Sequence, residues 1–307
     1  MANSGNRGDS RLRPILTPDE HETRLARGDI FERGGYLVWP GCKLSQLVHR
    51  RPEGITAHQW SSAIRARFDF VVCDATDYTP SFVVGFDDPA RRTAGDQRGD
   101  RMTNAVCEAV GLALVRIEST ALTAAAQGRR IVEYLLDAVG YRNAGLLDPD
   151  EPAYPDELSP GGALGYRDII GRLPDGRTGF VNDLGAVARA AAVDAYASRR
   201  LADPIIRGLH ATWKNGPAEG WGWAEVRDGD CLFERVRIWQ HRFSCGVDPA
   251  RLAEDLAAAA IGERLMLLDL AEPELVPRQE LSREFELLRQ RRDEMETEFA
   301  FDHLIFE

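Results

Sequence analysis

Short apolar runs separated by polar turns dominate the N-terminal half and predict a sheet with intervening helices. The runs at 68–73 and 81–86 flank a polar turn and therefore predict a β-hairpin. The run at 112–117 is almost wholly apolar, which is typical of a strand buried on both faces. A shorter strand is predicted at 36–39, ended by the Pro-Gly pair that follows it.

Three helices are predicted around these strands. The first begins after Thr17, which forms a capping box with Glu20, and is expected to run to the glycine pair at 34–35. The second is expected at 101–110 after a polar loop, and the third, at 122–139, carries one apolar face.

A second pattern follows a Pro-, Gly- and Asp-rich stretch in the middle of the chain. Asp228-Gly229-Asp230 is a strong hairpin-turn sequence between two apolar runs. The predicted strands of this part are 205–213, 222–226 and 232–243. The predicted helices are 184–201, 252–268 and 281–299, the second of them capped by Asp248-Pro249.

These elements predict an α/β fold with a mixed sheet flanked by helices, followed by a smaller α+β domain with an antiparallel sheet and a C-terminal helix. A chain of 307 residues, 44% of them hydrophobic, is long enough for two modest cores. The predicted segments are a disordered tail at 1–16, a first domain at 17–142, a linker at 143–165, a second domain at 166–275, and an acidic helix with an apolar tail at 276–307.

Charge is distributed unevenly between the two halves. The net charge is −11, yet residues 1–120 are neutral, so the acidity lies entirely in the remainder. The first part can therefore face a phosphate backbone locally, whereas the second part suits a protein partner or self-association better.

The five cysteines form no C-x-x-C pair, which argues against a zinc ribbon or a disulfide framework. No apolar run reaches the length of a membrane span, and the polar N-terminus has no signal-peptide core. We therefore expect a cytoplasmic protein with no membrane partner.

Four segments of the first domain come in a familiar order. They read R-F-D-F-V at 67–71, F-V-V-G-F-D-D at 82–88, Q-R-G-D at 97–100 and G-L-A-L-V-R-I at 111–117. This order resembles an uncharacterised bacterial domain family related to the very-short-patch-repair and PD-(D/E)XK nucleases. The resemblance covers about residues 35–120 and implies a restriction-endonuclease-like fold.

The resemblance also implies a metal-dependent site. Hydrolysis of a phosphodiester needs a divalent ion such as Mg²⁺, held by carboxylates, to activate water and to stabilise the phosphate oxygens. Asp69 and Asp87 match the two acids that would hold the metal, and Asp100 and Arg116 match later polar positions of the catalytic set.

Several family positions are not kept. Gly85 stands where the family has a Glu, and a glycine has no side chain with which to bind a metal. Ala90 and Arg91 replace a Ser-His pair, and Thr103 replaces a helix Lys. Loss of one carboxylate from a two- or three-ligand magnesium site should weaken both the affinity and the geometry of the site.

Compensation by neighbouring residues is conceivable. Glu108 or Asp88 would have to supply the missing carboxylate, and Arg98 or Arg101 the missing basic group.

An arginine-rich segment follows the second strand and invites two interpretations. Arg91, Arg92, Arg98 and Arg101 are candidates for contacts with nucleic-acid phosphates. They equally well offset the aspartates of the same segment.

The C-terminal half offers weaker signals. The four tryptophans at 213, 221, 223 and 239 suit either a base-stacking platform or a core, and the acidic surroundings favour the core or a protein interface. Cys231, Cys245, His210 and His241 have no zinc-site spacing and are expected to be packed or surface residues. The apolar end at 299–306 either folds back or docks on a partner.

We therefore expect a degenerate nuclease-fold protein. It would be a non-catalytic, nucleic-acid-associated or protein-binding component of a bacterial DNA-processing or defence system, with no cofactor. The alternatives are an active nuclease that uses Mg²⁺, Asp69 and Asp87 with a migrated third ligand, and a structural assembly protein that acts through its C-terminal half.

Overall fold

The computed structural model describes residues 12–143, 169–172, 178–182, 184–268, 270, 273–296 and 300–301. The predicted tail at 1–16 lies mostly outside these residues, as do nearly all of the predicted linker at 143–165 and most of the apolar end at 299–306. The described part has the expected mixed α/β character, with mostly antiparallel strands flanked by helices. It forms two compact units, the first ending at Arg116 and including Gln240–Phe243, and the second comprising Ile117–Trp239 and the chain from Ser244 onward.

The strands of the first unit hydrogen-bond in the order in which they occur in the chain. They are β1 (Phe31–Arg33), β2 (Tyr36–Lys43), β3 (Arg67–Asp74), β4 (Pro80–Asp87) and β5 (Ala113–Glu118). The pairs β1–β2, β2–β3 and β3–β4 are antiparallel, so the predicted hairpin is confirmed. The helices are α1 (Pro18–Arg27), α2 (Leu44–Leu47), α3 (Ala57–Ala63) and α4 (Ala94–Val110).

The core of the first unit lies between the strands and α4. Phe68 and Val71 of β3, Val83 of β4 and Leu114 of β5 are buried in one cluster with Val106 of α4. Because strand side chains alternate between faces, Asp69 lies on the same face of β3 as Val71, and Asp87 lies on the same face of β4 as Val83. Asp69 and Asp87 therefore belong to the face of the sheet that packs against α4.

The end predicted for the first helix is wrong. The capping box of Thr17 and Glu20 is present, but Gly28 ends α1 because it takes the left-handed conformation with φ of 74°. The segment that follows forms β1, and Gly34 and Gly35 make the turn into β2 with positive φ angles. Gly28 is itself a helix-stop signal in the sequence, and it precedes the glycine pair at 34–35.

Two further boundaries differ from the prediction. β2 runs through the Pro-Gly pair to Lys43, with Pro40 opposite Phe70 of β3. The second helix begins at Ala94, inside the expected loop, because Thr93 and Asp96 form a capping box. Arg98 and Asp100 therefore lie on a helix and not in a loop.

The second unit contains three long antiparallel strands. Its strands β8 (Arg207–Thr212), β9 (Ala218–Arg227) and β10 (Asp230–His241) pair in sequence, with the predicted turn at Gly229 confirmed by its φ of 81°. The remaining strands are β6 (Ile169–Arg172) and β7 (Thr178–Asn182), which pair with each other, β11 (Val276–Pro277) on β10, and β12 (Ala300–Phe301) on β8.

Four helices complete the second unit. They are α5 (Arg129–Asn143), α6 (Ala186–Ala197), α7 (Pro249–Met266) and α8 (Arg278–Gln290). The predicted Asp248 cap of α7 is confirmed. α8 is shorter than predicted, since a 3₁₀ turn at Arg292–Glu294 follows it. No helix in the described ranges combines the length and the apolar character that crossing a membrane requires.

Close contact between backbones holds α7 against β8 and β9. A Cβ atom on Gly220 would lie 2.1 Å from the backbone of Ala253 and Glu254, and a Cβ atom on Gly222 would lie 3.0 Å from the backbone of Ala257. The Ala-rich sequence of α7 permits this approach because its side chains are small. The glycines of β9 therefore set the distance between helix and sheet.

Substitution Gly220→Ala should destabilise the second unit strongly, because backbone atoms cannot move away as a flexible side chain can. We expect the free energy of unfolding, measured by chemical denaturation, to fall by about 1–3 kcal/mol. The control is Gly140→Ala in α5, where a Cβ atom meets nothing within 4 Å. That control should be neutral or stabilising by up to about 1 kcal/mol, and equal behaviour of the two variants would contradict the packing argument.

Candidate functional site

β4, α4 and β5 bring three of the four predicted catalytic residues together. Arg116 of β5 contacts Asp100 of α4, with Nη1 2.6 Å from Oδ1. The same nitrogen lies 3.5 Å from Oδ2 of Asp87, the last residue of β4. The Arg116 side chain is only 12% exposed, so the two aspartates share a largely buried guanidinium.

Arg92 adds a second positive charge to this group. It forms an ion pair with Asp100, and its Nη1 lies 3.9 Å from Oδ2 of Asp87. Burial raises the pKa of Asp100, and the charges of Arg116 and Arg92 oppose that rise. Two carboxylates and two guanidinium groups thus balance each other in what we call the Asp-Arg cluster, which consists of Asp87, Arg92, Asp100 and Arg116.

Asp69, the fourth predicted catalytic residue, has a different partner. Its Oδ2 accepts a hydrogen bond of 2.7 Å from the backbone N–H of Phe86. Burial raises the pKa of Asp69, this hydrogen bond opposes the rise, and the nearby charge of Asp87 adds to it. The carboxyl group of Asp69 therefore acts as an internal strand-to-strand acceptor.

Gly85 is buried, and a glycine has no side chain that could bind a metal. The β3–β4 register pairs Phe70 with Val84, so one step further places Asp69 opposite Gly85. Residues directly opposite each other on antiparallel strands point to the same face. A Cβ atom on Gly85 would meet no heavy atom within 4 Å, so a side chain is missing at the place where Asp69 would need a second ligand.

The residues present do not fit the metal site that the nuclease resemblance implies. Among the described residues, no three His, Cys, Asp or Glu side chains are grouped so that they could hold a metal ion. Asp87 and Asp100 are paired with arginines, and Asp69 is paired with a backbone amide.

The replacements suggested for the missing ligand lie elsewhere. Asp88 caps the following 3₁₀ turn through the N–H of Ala90, at 2.9 Å, and pairs with Arg91. Glu108 is exposed on α4. Thr103, at the position of the family Lys, is buried and donates its hydroxyl to the carbonyl of Gly99.

The four candidate phosphate-binding arginines do not form one surface. Arg92 belongs to the Asp-Arg cluster, with a side chain only 18% exposed. Arg91, Arg98 and Arg101 are exposed, and Arg91 pairs with Asp88 at 3.1 Å. Arg98 and Arg101 have no carboxylate partner within the described ranges and lie three residues apart on α4. Sequence alone gave no signal that separated Arg92 from the others.

The weaker candidates of the C-terminal half are accounted for by packing. Cys231 and Cys245 are buried free thiols, and burial raises the pKa of Cys231 to about 11. His210 pairs with the buried carboxylate of Glu254 at 2.6 Å. Trp213, Trp221 and Trp223 are buried, and Trp239 is 40% exposed.

Comparison with known proteins reaches only the N-terminal part of the chain. Residues 14–135 match the model of a protein family of unknown function, DUF2726. No curated protein and no solved structure matches the chain.

A double-mutant cycle on Arg116 and Asp100 tests the Asp-Arg cluster. Arg116→Gln should lower the free energy of unfolding by ~1–3 kcal/mol, since it leaves two half-buried carboxylates short of a partner. Asp100→Asn should restore part of that loss, which a denaturation series on the four proteins would measure. Arg129→Gln, which removes an exposed i,i+4 pair with Glu133, is the control and should cost less than about 0.5 kcal/mol. Strictly additive effects would contradict a shared cluster.

Proposed function

We propose that the first unit is a non-catalytic relative of the PD-(D/E)XK nucleases that associates with nucleic acid and does not cleave it. The observation that carries the proposal is the pairing of Asp87 and Asp100 with Arg92 and Arg116. In a nuclease of this kind, a carboxylate at the position of Asp87 would help to hold a divalent metal ion. Here internal guanidinium groups supply the positive charge.

The geometry of the strands supports the loss of catalysis. Gly85 lies beside Asp69 on the same face of the sheet and provides no ligand. A magnesium ion prefers near-octahedral oxygen coordination, and one backbone-bonded carboxylate is a poor basis for it. A metal would also have to displace Arg116 from Asp87.

The exposed arginines support association with nucleic acid. Arg91, Arg98 and Arg101 project from the segment that follows β4, next to the Asp-Arg cluster in sequence. Phosphate contacts by arginine require no base recognition, so we expect binding that is weak, salt-dependent and insensitive to sequence.

A protein partner for the C-terminal half is a second candidate. Exposed apolar side chains on α6 favour it, since Val187 is 57% and Tyr196 49% exposed. Sedimentation of the intact chain over a range of concentrations would detect self-association.

The triple variant Arg91→Gln, Arg98→Gln, Arg101→Gln tests nucleic-acid association. Fluorescence anisotropy with labelled single- and double-stranded DNA and RNA should give weaker binding than the unmodified chain, and the slope of log affinity against log salt should fall by up to about 3. A matched control removes three exposed arginines elsewhere in the first unit, at Arg27, Arg51 and Arg65.

The same samples, incubated with Mg²⁺ or Mn²⁺, test for cleavage. We expect intact substrates at all times. Metal-dependent cleavage that disappears in Asp87→Asn would overturn the non-catalytic assignment, and equal binding by the triple variant and its control would overturn the arginine surface.

A further inference from the structure

One face of the β8–β10 sheet carries aromatic and charged side chains that α8 covers only in part. Arg235, Arg237 and Trp239 alternate with buried apolar residues along β10 and therefore point to the same face. Across the strand pair, Arg235 lies opposite Trp221, and Arg237 lies opposite Glu219. The sheet thus presents a ladder of indole and guanidinium groups.

α8 closes one end of this face. Phe285 stacks on Trp221, with ring centroids 5.5 Å apart, and contacts Trp223 at 5.0 Å. At the other end a cavity of about 720 Å³ remains, within the size range of ligand sites. Its lining includes Trp213, Lys214, Glu219, Arg235, Arg237 and Trp239.

A buried carboxylate organises the floor of the cavity. Glu219 is 3% exposed and accepts hydrogen bonds from Nε1 of Trp221 at 2.6 Å and from Nε of Arg237 at 2.7 Å. Burial raises the pKa of Glu219, but the hydrogen bond and charge of Arg237, with those of Arg235, outweigh it and hold the pKa below its ordinary value. The charged Glu219 holds the guanidinium of Arg237 in place through a hydrogen bond from the Nε atom of that arginine alone.

The terminal nitrogens of Arg237 are consequently available. Among the described residues, neither Nη atom of Arg237 has a hydrogen-bond partner. The two other carboxylates of the lining are taken, since Glu284 lies 3.3 Å from Arg235 and Glu294 lies 2.7 Å from Arg291. The lining therefore carries one more basic side chain than carboxylates, and Lys214, which is exposed, donates to a backbone carbonyl and not to one of these carboxylates.

Arginine side chains cover two of the tryptophan rings in the cavity and leave Trp239 exposed. The guanidinium of Arg235 lies over the ring of Trp221 at 4.3 Å, and that of Arg291 lies over the ring of Trp213 at 4.2 Å. These rings are covered, whereas Trp239 is 40% exposed. Trp239 and Arg237 are two residues apart on one face of β10, so an aromatic surface and an anion-binding group lie roughly 6–7 Å apart.

We propose that this cavity binds a nucleotide, with the base stacked on Trp239 and the phosphate held by Arg237 and Lys214. A planar base suits an exposed indole, and a phosphate oxygen pair suits a fixed guanidinium. A free nucleotide and an unpaired nucleotide of a single strand present the same chemistry. The site lies in the second unit and does not depend on the function proposed for the first.

Calorimetric titration of the intact chain tests the proposal. The ligands are the four ribonucleoside monophosphates, inorganic phosphate and a ten-nucleotide single strand. We expect saturable binding of at least one monophosphate, with inorganic phosphate binding more weakly. Tighter binding of the single strand identifies nucleic acid as the source of the ligand, and binding of the mononucleotide alone identifies a free nucleotide.

Variants at exposed positions separate the site from the stability of the fold. Trp239→Ala and Lys214→Gln should each weaken binding at least about fivefold, the low end for a lost stacked base, and Trp239→Phe should recover most of the loss. Arg227→Gln, an exposed arginine outside the cavity, is the control and should bind as the unmodified chain does. Absence of binding at millimolar nucleotide, phosphate binding as tight as nucleotide binding, or unchanged affinity in Trp239→Ala would each overturn the proposal.

Discussion

The register of β3 against β4 determines which polar side chains meet beside the core of the first unit. It places Asp69 opposite Gly85, with Asp87 two residues further along β4 on the same face. Val71 and Val83 lie on that same face and are buried with Val106 of α4, so the register cannot shift by one residue without moving these side chains to the other face. The packing of α4 on the sheet therefore also fixes the positions of Asp69, Gly85 and Asp87.

Within that frame, charge balance decides what these polar residues can do. Asp87 and Asp100 are partly buried, and Arg92 and Arg116 balance their charge. Half-buried carboxylates need a compensating positive charge, and either a divalent cation or a pair of arginines can supply it. In this protein Arg92 and Arg116 supply it.

The lack of a side chain at a glycine has different consequences in the two units. A Cβ atom on Gly85 would meet no heavy atom within 4 Å, so there is open space beside Asp69. At Gly220 the absence of a Cβ atom lets α7 approach the sheet, and this close packing leaves the opposite face of β9 to the tryptophans and Glu219. Gly85 thus leaves a gap beside Asp69, whereas Gly220 allows α7 to pack closely on the sheet.

The sequence predicted the elements of both units better than the contacts between their side chains. Periodicity located β3, β4, β5 and the β9–β10 hairpin, since alternation and turn residues are local signals. It placed the last residue of α1 too late, because Gly28 ends that helix, and the first residue of α4 too late, because the Thr93–Asp96 capping box starts that helix earlier. The role of Arg92 could not be predicted, because its partner Asp100 depends on how α4 packs on β4. The cavity beside Trp239 was also missed, although Arg235, Arg237 and Trp239 alternate along one strand.

Metal binding tests the central claim most directly. Manganese would be titrated by calorimetry into the intact chain and into Gly85→Glu, which places a carboxylate beside Asp69 where a Cβ atom meets no neighbour. The account predicts no saturable binding to the unmodified chain at millimolar Mn²⁺ and at most weak binding to Gly85→Glu, because Arg116 still pairs with Asp87 in that variant. One manganese ion bound by the unmodified chain and lost in Asp87→Asn would contradict it.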